Sequence, residues 1–382
     1  MRIRIYHNIL WAKYKGVVFS QVYAQSKARG VDASFIQIAE TDDERVALGD
    51  VDLSYHEYPY RLLFRGAYQK ASRCRRIFML AADLIKNPAD LVVMPGYHAA
   101  EYWAMLIVCI LLRRKRAVFC DSTEFDRPKT WWREFAKRLF FKGCDGFFCY
   151  GVRSKEYLIK HGVDPSKIIY RYQAAALPHE YDPLKVLERY DITGDYDGRN
   201  HRFLYVGRLS TEKGLNDLLD AFAVVYAQSS DVKLDLVGAG ALQAELRGRV
   251  QDLHLADAVN FLGSKNIDEI ADLFVGSTSL VLPSHSEPWG LVVNESLSYG
   301  CPVVVSNVCG CVPDLVIDGV TGYSFEVGDV GALAQAMRGV VEMSSNRAIV
   351  AKRCLDVISQ FTPQRAAAQI LDGCERIAGG GH

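Results

Sequence analysis

The chain has 382 residues, 49% hydrophobic and 24% charged, with 45 Lys+Arg balanced by 45 Asp+Glu. This is globular composition with material for two cores. The longest apolar run, "YWAMLIVCILL" at 102–112, is shorter than the ~20 residues a helix needs to span a bilayer, which excludes a membrane-crossing chain.

None of the ten cysteines forms a C-x-x-C pair. With no signal-peptide pattern at the start, they predict a reduced, cytoplasmic protein. The zero net charge hides an asymmetry. Residues 1–175 hold 29 Lys+Arg and 18 Asp+Glu, a balance of +11, leaving 16 and 27, or −11, for the rest. A basic half is either a solvated surface or one that meets an anion such as a phosphorylated substrate or a membrane.

In chain order, "RIRIYHN" (2–8) reads as a first strand, followed by a loop with Lys13, Lys15 and Gly16 and then a helix. "ASFIQIA" is a second strand. "RLLFRGAYQKASRCRRIF" (61–78) is a basic stretch with interleaved aromatics. "ADLVVMPGYH" (89–98) is a buried strand ending in a Pro-Gly turn, and 102–112 fits a helix on the sheet. "RRKRAVFCDST" returns as a strand. "RPKTWWREFAKRLFFKG" (127–143) sets Trp131, Phe135 and Leu139 on one side of a helix with cations beside them. That pattern suits either a headgroup layer or a buried helix with a basic edge. A further strand and helix follow at 145–162.

The polar, turn-rich segment 177–200 predicts a linker. Alternation then resumes with "HRFLYVG", "VKLDLVGAG", "AVNFLG", "TSLVLPS" and "CPVVVSN". Strands alternating with helices predict parallel sheets. The expected fold is α/β, with two doubly wound, Rossmann-like domains facing across a cleft. The domains are 1–176 and 201–362, and the last helix, 363–382, is free to cross back to the first. Ligands in such sheets bind at the carboxyl ends of strands.

The chemistry concentrates in "SHSEPWGLVVNE" (284–295). Glu287 lies in the loop after a buried strand, and Glu295 in the first turns of the next helix. A helix N-terminus suits phosphate, and a carboxylate further along accepts hydrogen bonds from a diol. The arrangement fits a nucleotide diphosphate-sugar. Two ordinary surface charges, or a glycosidase acid and nucleophile, are the competing readings. In "VGRLSTEKGLNDLLDAF" (206–222), Arg208 and Lys213 lie between a strand ending at Gly207 and a helix starting near Gly214. There they could offset charge on a leaving diphosphate, a task a glycosidase would not give them.

"VGRLSTEKGLNDLLDAF", "LVGAGAL", "VNFLG", "PSHSEPWGLVVNESLSYGCPVVVS" and "PDLVIDGVTGYSF", in that order, resemble the C-terminal half of retaining glycosyltransferase family 4, of GT-B fold and E-x7-E type. The resemblance implies a hexosyltransferase that needs no metal. Glu295 would bind the ribose and Glu287 the donor sugar. Arg208 and Lys213 would hold the diphosphate. Gly290 and Leu291 would supply amide donors, and Gly263 and Ser264 would lie near the base. It also implies a glycine loop after the first strand, where Gly16 stands alone, and a histidine near the transferred sugar, for which His98 is the candidate. Asp121, Ser122 and Glu124 end the next strand instead.

"VGAGAL" lacks the third glycine of a dinucleotide fingerprint. "DVD" (50–52) and "DYD" (195–197) mimic metal-binding D-x-D in polar loops, and "CGC" (309–311) is too small a ligand set for zinc. No cofactor is expected beyond the UDP- or GDP-sugar co-substrate, and no nucleic-acid reading motif is present. The basic first half, taken with what the resemblance implies, predicts a lipid-linked or lipopolysaccharide acceptor on the anionic inner face of a membrane. An epimerase or hydrolase, or a non-catalytic nucleotide-binding scaffold, are the alternatives.

Overall fold

The computed structural model describes residues 1–46, 49–125, 130–192 and 201–379. The chain forms two compact units, 1–176 with 361–382, and 177–360. Each is built on a parallel sheet.

The first unit runs β1 (Arg2–Ile9), α1 (Lys13–Ala28), β2 (Asp32–Thr41), β3 (Tyr60–Ala67), α2 (Arg73–Lys86), β4 (Leu91–Met94) and α3 (Ala100–Leu111). It continues with β5 (Lys115–Cys120), α4 (Trp131–Lys142), β6 (Gly146–Cys149), α5 (Val152–Lys160) and β7 (Ile168–Tyr170). The seven strands lie in the order β3-β2-β1-β4-β5-β6-β7, so the order reverses between β1 and β4. Side chains of α2, α3, α4 and α5 cover one face around Met94, Val118 and Phe147. The other face is covered by α1 and by the chain's last helix.

The second unit comprises α6 (Pro183–Ile192), β8 (His201–Val206), α7 (Leu215–Gln228), β9 (Val232–Val237), α8 (Gln243–Asp252), β10 (Val259–Gly263) and α9 (Ile267–Gly276). Then come β11 (Ser279–Leu282), α10 (Leu291–Ser298), β12 (Val303–Ser306), α11 (Val312–Leu315), β13 (Gly322–Phe325), α12 (Val330–Met343) and α13 (Arg347–Ile358). Its six strands follow β10-β9-β8-β11-β12-β13, with the reversal between β8 and β11. Both central strand sets are buried on both faces, which is why they read as continuous Val/Leu/Ile runs.

Two details depart from the sequence reading, the start of α1 and the segment 177–200, and two others are filled in by the structure. Lys13, Lys15 and Gly16 are the first turn of α1, not a loop. The basic stretch 61–78 divides into edge strand β3, a turn and α2. The segment 177–200 includes α6, whose Tyr190 hydroxyl donates to the Tyr299 carbonyl oxygen at 2.8 Å, so its described part packs within the second unit. The acidic "DYD" lies outside the described residues, whereas Asp52 of "DVD" caps a short 3-10 turn and pairs with Lys13 at 3.0 Å.

The last helix, α14 (Pro363–Ala378), lies in the first unit. Its Ala366, Ile370, Leu371 and Ile377 pack on the sheet with α1, and Arg29 meets Asp372 at 2.5 Å. A Cβ at Gly146 would come 2.3 Å from Ile377, so the small residue in β6 is what lets this helix seat.

Candidate functional site

The site residues of the second unit gather where β8 and β11 diverge. β8 runs out at Val206, and the chain turns through Gly207 and Arg208 into a 3-10 turn, Thr211–Lys213. The buried Tyr205 hydroxyl donates to the Arg208 carbonyl oxygen at 2.6 Å. The Leu209 amide donates to Ala239 at 3.0 Å, and the Leu242 amide to Leu209 at 3.0 Å. The loop therefore lies directly on the "GAG" turn after β9. A Cβ at Gly238, where φ is +129°, would stand 1.9 Å from the Gly207 carbonyl oxygen. The G-x-G that fails as a dinucleotide fingerprint is the seat of the cation loop.

At the other end of that loop, Gly214 takes φ +64° and begins α7. A Cβ there would fall 2.2 Å from the Pro283 carbonyl oxygen, so the loop touches the end of β11. The His285 amide donates to the Glu212 carbonyl oxygen at 2.8 Å, and the His285 ring meets Asp217 at 2.7 Å. These bonds tie the two segments that carry the predicted charges.

The consequence is an ion pair: Lys213 Nζ lies 2.5 Å from Glu287 Oε2, both side chains largely buried. Arg208 sits beside them, half-exposed, 3.2 Å from Glu212. Burial alone would raise the Glu212 carboxyl, but the Ser210 hydroxyl together with Arg208 and Lys213 hold it below its ordinary value. Behind Glu287, the Gly310 amide donates to the Glu287 carbonyl oxygen at 3.0 Å and the Cys311 amide to Trp289 at 3.1 Å. The "CGC" segment thus braces the glutamate loop through its backbone. The Trp289 indole donates to Asn294 at 2.7 Å, closing the loop onto α10.

Gly290 caps α10 in the left-handed region, with φ +97°. Leu291 is the first helical residue, so amide donors at this helix end face the same strand edge as Glu287. Glu295 stands one turn into α10. The protein packed around its carboxyl pushes its pKa up to about 7, and no cation lies within 4 Å of it among the described residues. Gly263 ends β10 with φ +68° and its carbonyl oxygen accepts from the Gly238 amide at 2.8 Å. Ser264 is exposed beside it.

The raised pKa has a testable sign. Folded Glu295 holds its proton more tightly than unfolded Glu295 between about 4.5 and about 7. Its contribution to stability is therefore full below about pH 4.5 and is lost as pH rises through about 7. Thermal melts should show wild type losing stability over that window relative to Glu295→Gln, and parallel curves would contradict it.

In the first unit, His98 follows β4 at the strand-order reversal and is exposed, its ring edge-on to Tyr102 at 5.4 Å. Gly16 is buried in α1, where a Cβ would meet the Tyr55 carbonyl oxygen at 2.7 Å and the His56 ring at 2.9 Å. Its smallness serves that packing.

The sequence reading places Lys15 in a loop with no role and does not single out Arg171, yet both are buried at the same sheet edge, with 2% and 0% exposure. Lys15 donates to the Tyr150 hydroxyl, and both cations sit over the Tyr150 ring, at 4.5 and 4.3 Å. Burial, followed by the neighbouring Arg171, holds the Lys15 pKa well below its ordinary value. Nothing in the spacing of an isolated lysine and arginine marks such a pair.

This geometry is a recognisable one. Residues 194–354 match the family model of the glycosyl transferases group 1. Among curated relatives, the glycogen synthase of Mycobacterium tuberculosis is 37% identical over 139 residues, 36% of this chain and 33% of that protein. The D-rhamnosyltransferase WbpZ of Pseudomonas aeruginosa is 37% identical over 142 residues, 37% of this chain and 36% of that protein. The chain thus spans about a third of the length of these relatives.

Among solved structures, Anabaena HepE in complex with UDP and glucose superposes with a TM-score of 0.71 at 19% identity, covering 98% of this chain and 99% of that one. The lipopolysaccharide outer core galactosyltransferase WaaB superposes at 0.70 with 16% identity, covering 98% and 99%. The fold is GT-B, with a Rossmann-like domain on each of the two parallel sheets.

Proposed function

We propose that the chain is a retaining, metal-independent glycosyltransferase of family 4. It moves a hexose from a UDP- or GDP-sugar to a hydroxyl of a lipid-linked oligosaccharide or lipopolysaccharide acceptor. The carrying observation is the Lys213–Glu287 pair at the strand edge, with Arg208 beside it and the N-terminus of α10 beyond.

Each part has a task in this reading. Glu295 accepts the two ribose hydroxyls, which requires its ionised form. Arg208, Lys213 and the amides of Gly290 and Leu291 hold the diphosphate, whose charge grows as the sugar departs. Glu287 holds the sugar hydroxyls, and its pairing with Lys213 keeps both side chains placed before the donor arrives. The acceptor hydroxyl attacks from the face the diphosphate leaves, passing its proton to the departing phosphate. Gly263 and Ser264 border the base, and His98 approaches the transferred sugar. WaaB, named as a lipopolysaccharide outer core galactosyltransferase, supports the acceptor class. No helix among the described residues is long and apolar enough to cross a membrane; in this reading the enzyme works as a peripheral protein on the inner face.

A thermal-shift panel with UDP, GDP, ADP, CMP and NAD tests the donor. A ligand at ~100 times its Kd stabilises by about 2.7 kcal/mol. UDP or GDP should raise Tm, more strongly as pH rises through about 7 and the Glu295 carboxyl ionises, and Glu295→Ala should abolish the shift. A response to NAD alone would overturn the reading. A nucleotide shift with no transfer to any hydroxyl acceptor would favour a scaffold.

A further inference from the structure

The helical layer over one face of the first sheet has an unusual exterior. Helix α4 buries Phe140 and Phe141 but leaves Trp131 82% and Phe135 66% exposed, with Trp132 and Leu139 exposed on the same stripe. At 100° per residue these four positions fall within about one quadrant of the helix, with Lys142 inside that arc and Arg138 just outside its edge.

The neighbouring helices continue the surface. Helix α3 packs on α4 through Trp103 and Phe140, whose rings lie 5.2 Å apart. It turns Ile107, Ile110 and Leu111 outward, the last 75% exposed, and α2 adds Phe78 and Ile85. An exterior carrying this many large apolar side chains on adjacent helices marks an interaction surface.

The unpaired charges on α4 beside it, Arg138 and Lys142, are both positive. On the inner side of α4, Glu134 accepts from Lys137 at 2.7 Å and from the His161 ring at 2.5 Å. That acid and that lysine are therefore consumed inside the fold. Arg138 and Lys142 are exposed, and among the described residues neither has a carboxylate within 4 Å. A groove of about 660 Å³ opens beside Leu139, over Phe141 and Phe147, and Arg138, Lys142, Lys160 and Lys167 line it with one acid, Asp164. Lys160 also pairs with Glu124.

We infer that this α2–α3–α4 exterior docks on an anionic phospholipid bilayer. Trp131, Trp132, Phe135 and Leu139 enter the headgroup layer, and the groove beside them takes a lipid phosphate. Aromatic rings that are apolar yet tolerate the interface, flanked by unpaired cations, suit a charged lipid surface; a protein partner of mixed charge would leave those cations unmatched. The inference extends the membrane-held acceptor proposed above and rests on it for its role in the reaction. The lipid contact itself needs neither donor nor acceptor.

The test is co-sedimentation of the full chain with phosphatidylcholine vesicles, with and without phosphatidylglycerol. Three proteins are compared: wild type, Trp131→Ala/Phe135→Ala and Arg138→Ala/Lys142→Ala. Wild type should bind the phosphatidylglycerol vesicles and release in salt. Losing two cations near an anionic surface should lower partitioning about thirtyfold. The aromatic variant should lose binding, and brominated acyl chains should no longer quench its tryptophan emission to the wild-type extent.

Absence of wild-type binding, equal binding to phosphatidylcholine alone, or variants that bind as wild type would each overturn the docking face. So would light scattering that shows a lipid-free dimer dissolved by the aromatic substitutions, since the face would then belong to a second copy. UDP thermal shifts on the same proteins report separately on the transferase reading. They should be unchanged in both variants.

Discussion

Replacing Lys213 by methionine should lower donor turnover by about 10²–10³-fold, with kcat falling more than KM rises. Lys213 lies 2.5 Å from Glu287 at the edge where β8 and β11 part. In the proposed reaction its charge is worth most as the glycosidic bond breaks, because the diphosphate gains negative charge only then. The same substitution strands Glu287, a largely buried carboxylate, and should cost about 1–3 kcal/mol of stability. Glu287→Gln added to it should recover much of that stability while leaving turnover low. Steady-state kinetics on donor consumption and urea melts of the single and double variants check both halves. A loss confined to KM would mean that Lys213 binds the donor uniformly and does not favour the transition state.

The second large effect is on the scaffold. Gly238→Ala should destabilise the second unit by about 4 kcal/mol or more, enough to dominate its unfolding. The added Cβ would sit 1.9 Å from the Gly207 carbonyl oxygen, at a φ of +129° that side chains rarely adopt. Relief requires the 207–213 loop to lift from the β9 turn, carrying Arg208 and Lys213 with it. Gly248, inside α8 with nothing within 4 Å of its Cβ position, is the matched control. There alanine should stabilise by about 0.5–1 kcal/mol through helix propensity. If both substitutions melt alike, the close approach of the two turns is not what positions the cations.

How much of this was legible in the chain differs from residue to residue. The parallel sheets were visible because strands buried on both faces demand unbroken apolar runs, as in "LVVM" and "VVVS". Glu287 was legible because a carboxylate just past such a run falls at a strand's carboxyl end, and Glu295 because the apolar spacing after Gly290 puts it in the first turns of the next helix. Edge strand β3 was not, since only part of its surface is covered and its two arginines, one of them paired with the buried Asp83, are exposed. The start of α1 was hidden as well: its cap position, Ala12, makes no side-chain cap hydrogen bond and no acid lies in the first turn.

The sequence alone determined the α/β class, the two parallel sheets, and the order of cations and carboxylates along the second half. Those depend on local patterns of burial and charge. Only the tertiary structure decided that "GAG" supports the cation loop, that "CGC" braces the glutamate loop, and that Lys15 and Arg171 share the Tyr150 ring. Each joins segments far apart in sequence through backbone contact or burial. Composition and spacing record what a residue is, whereas these roles depend on what the fold sets against it.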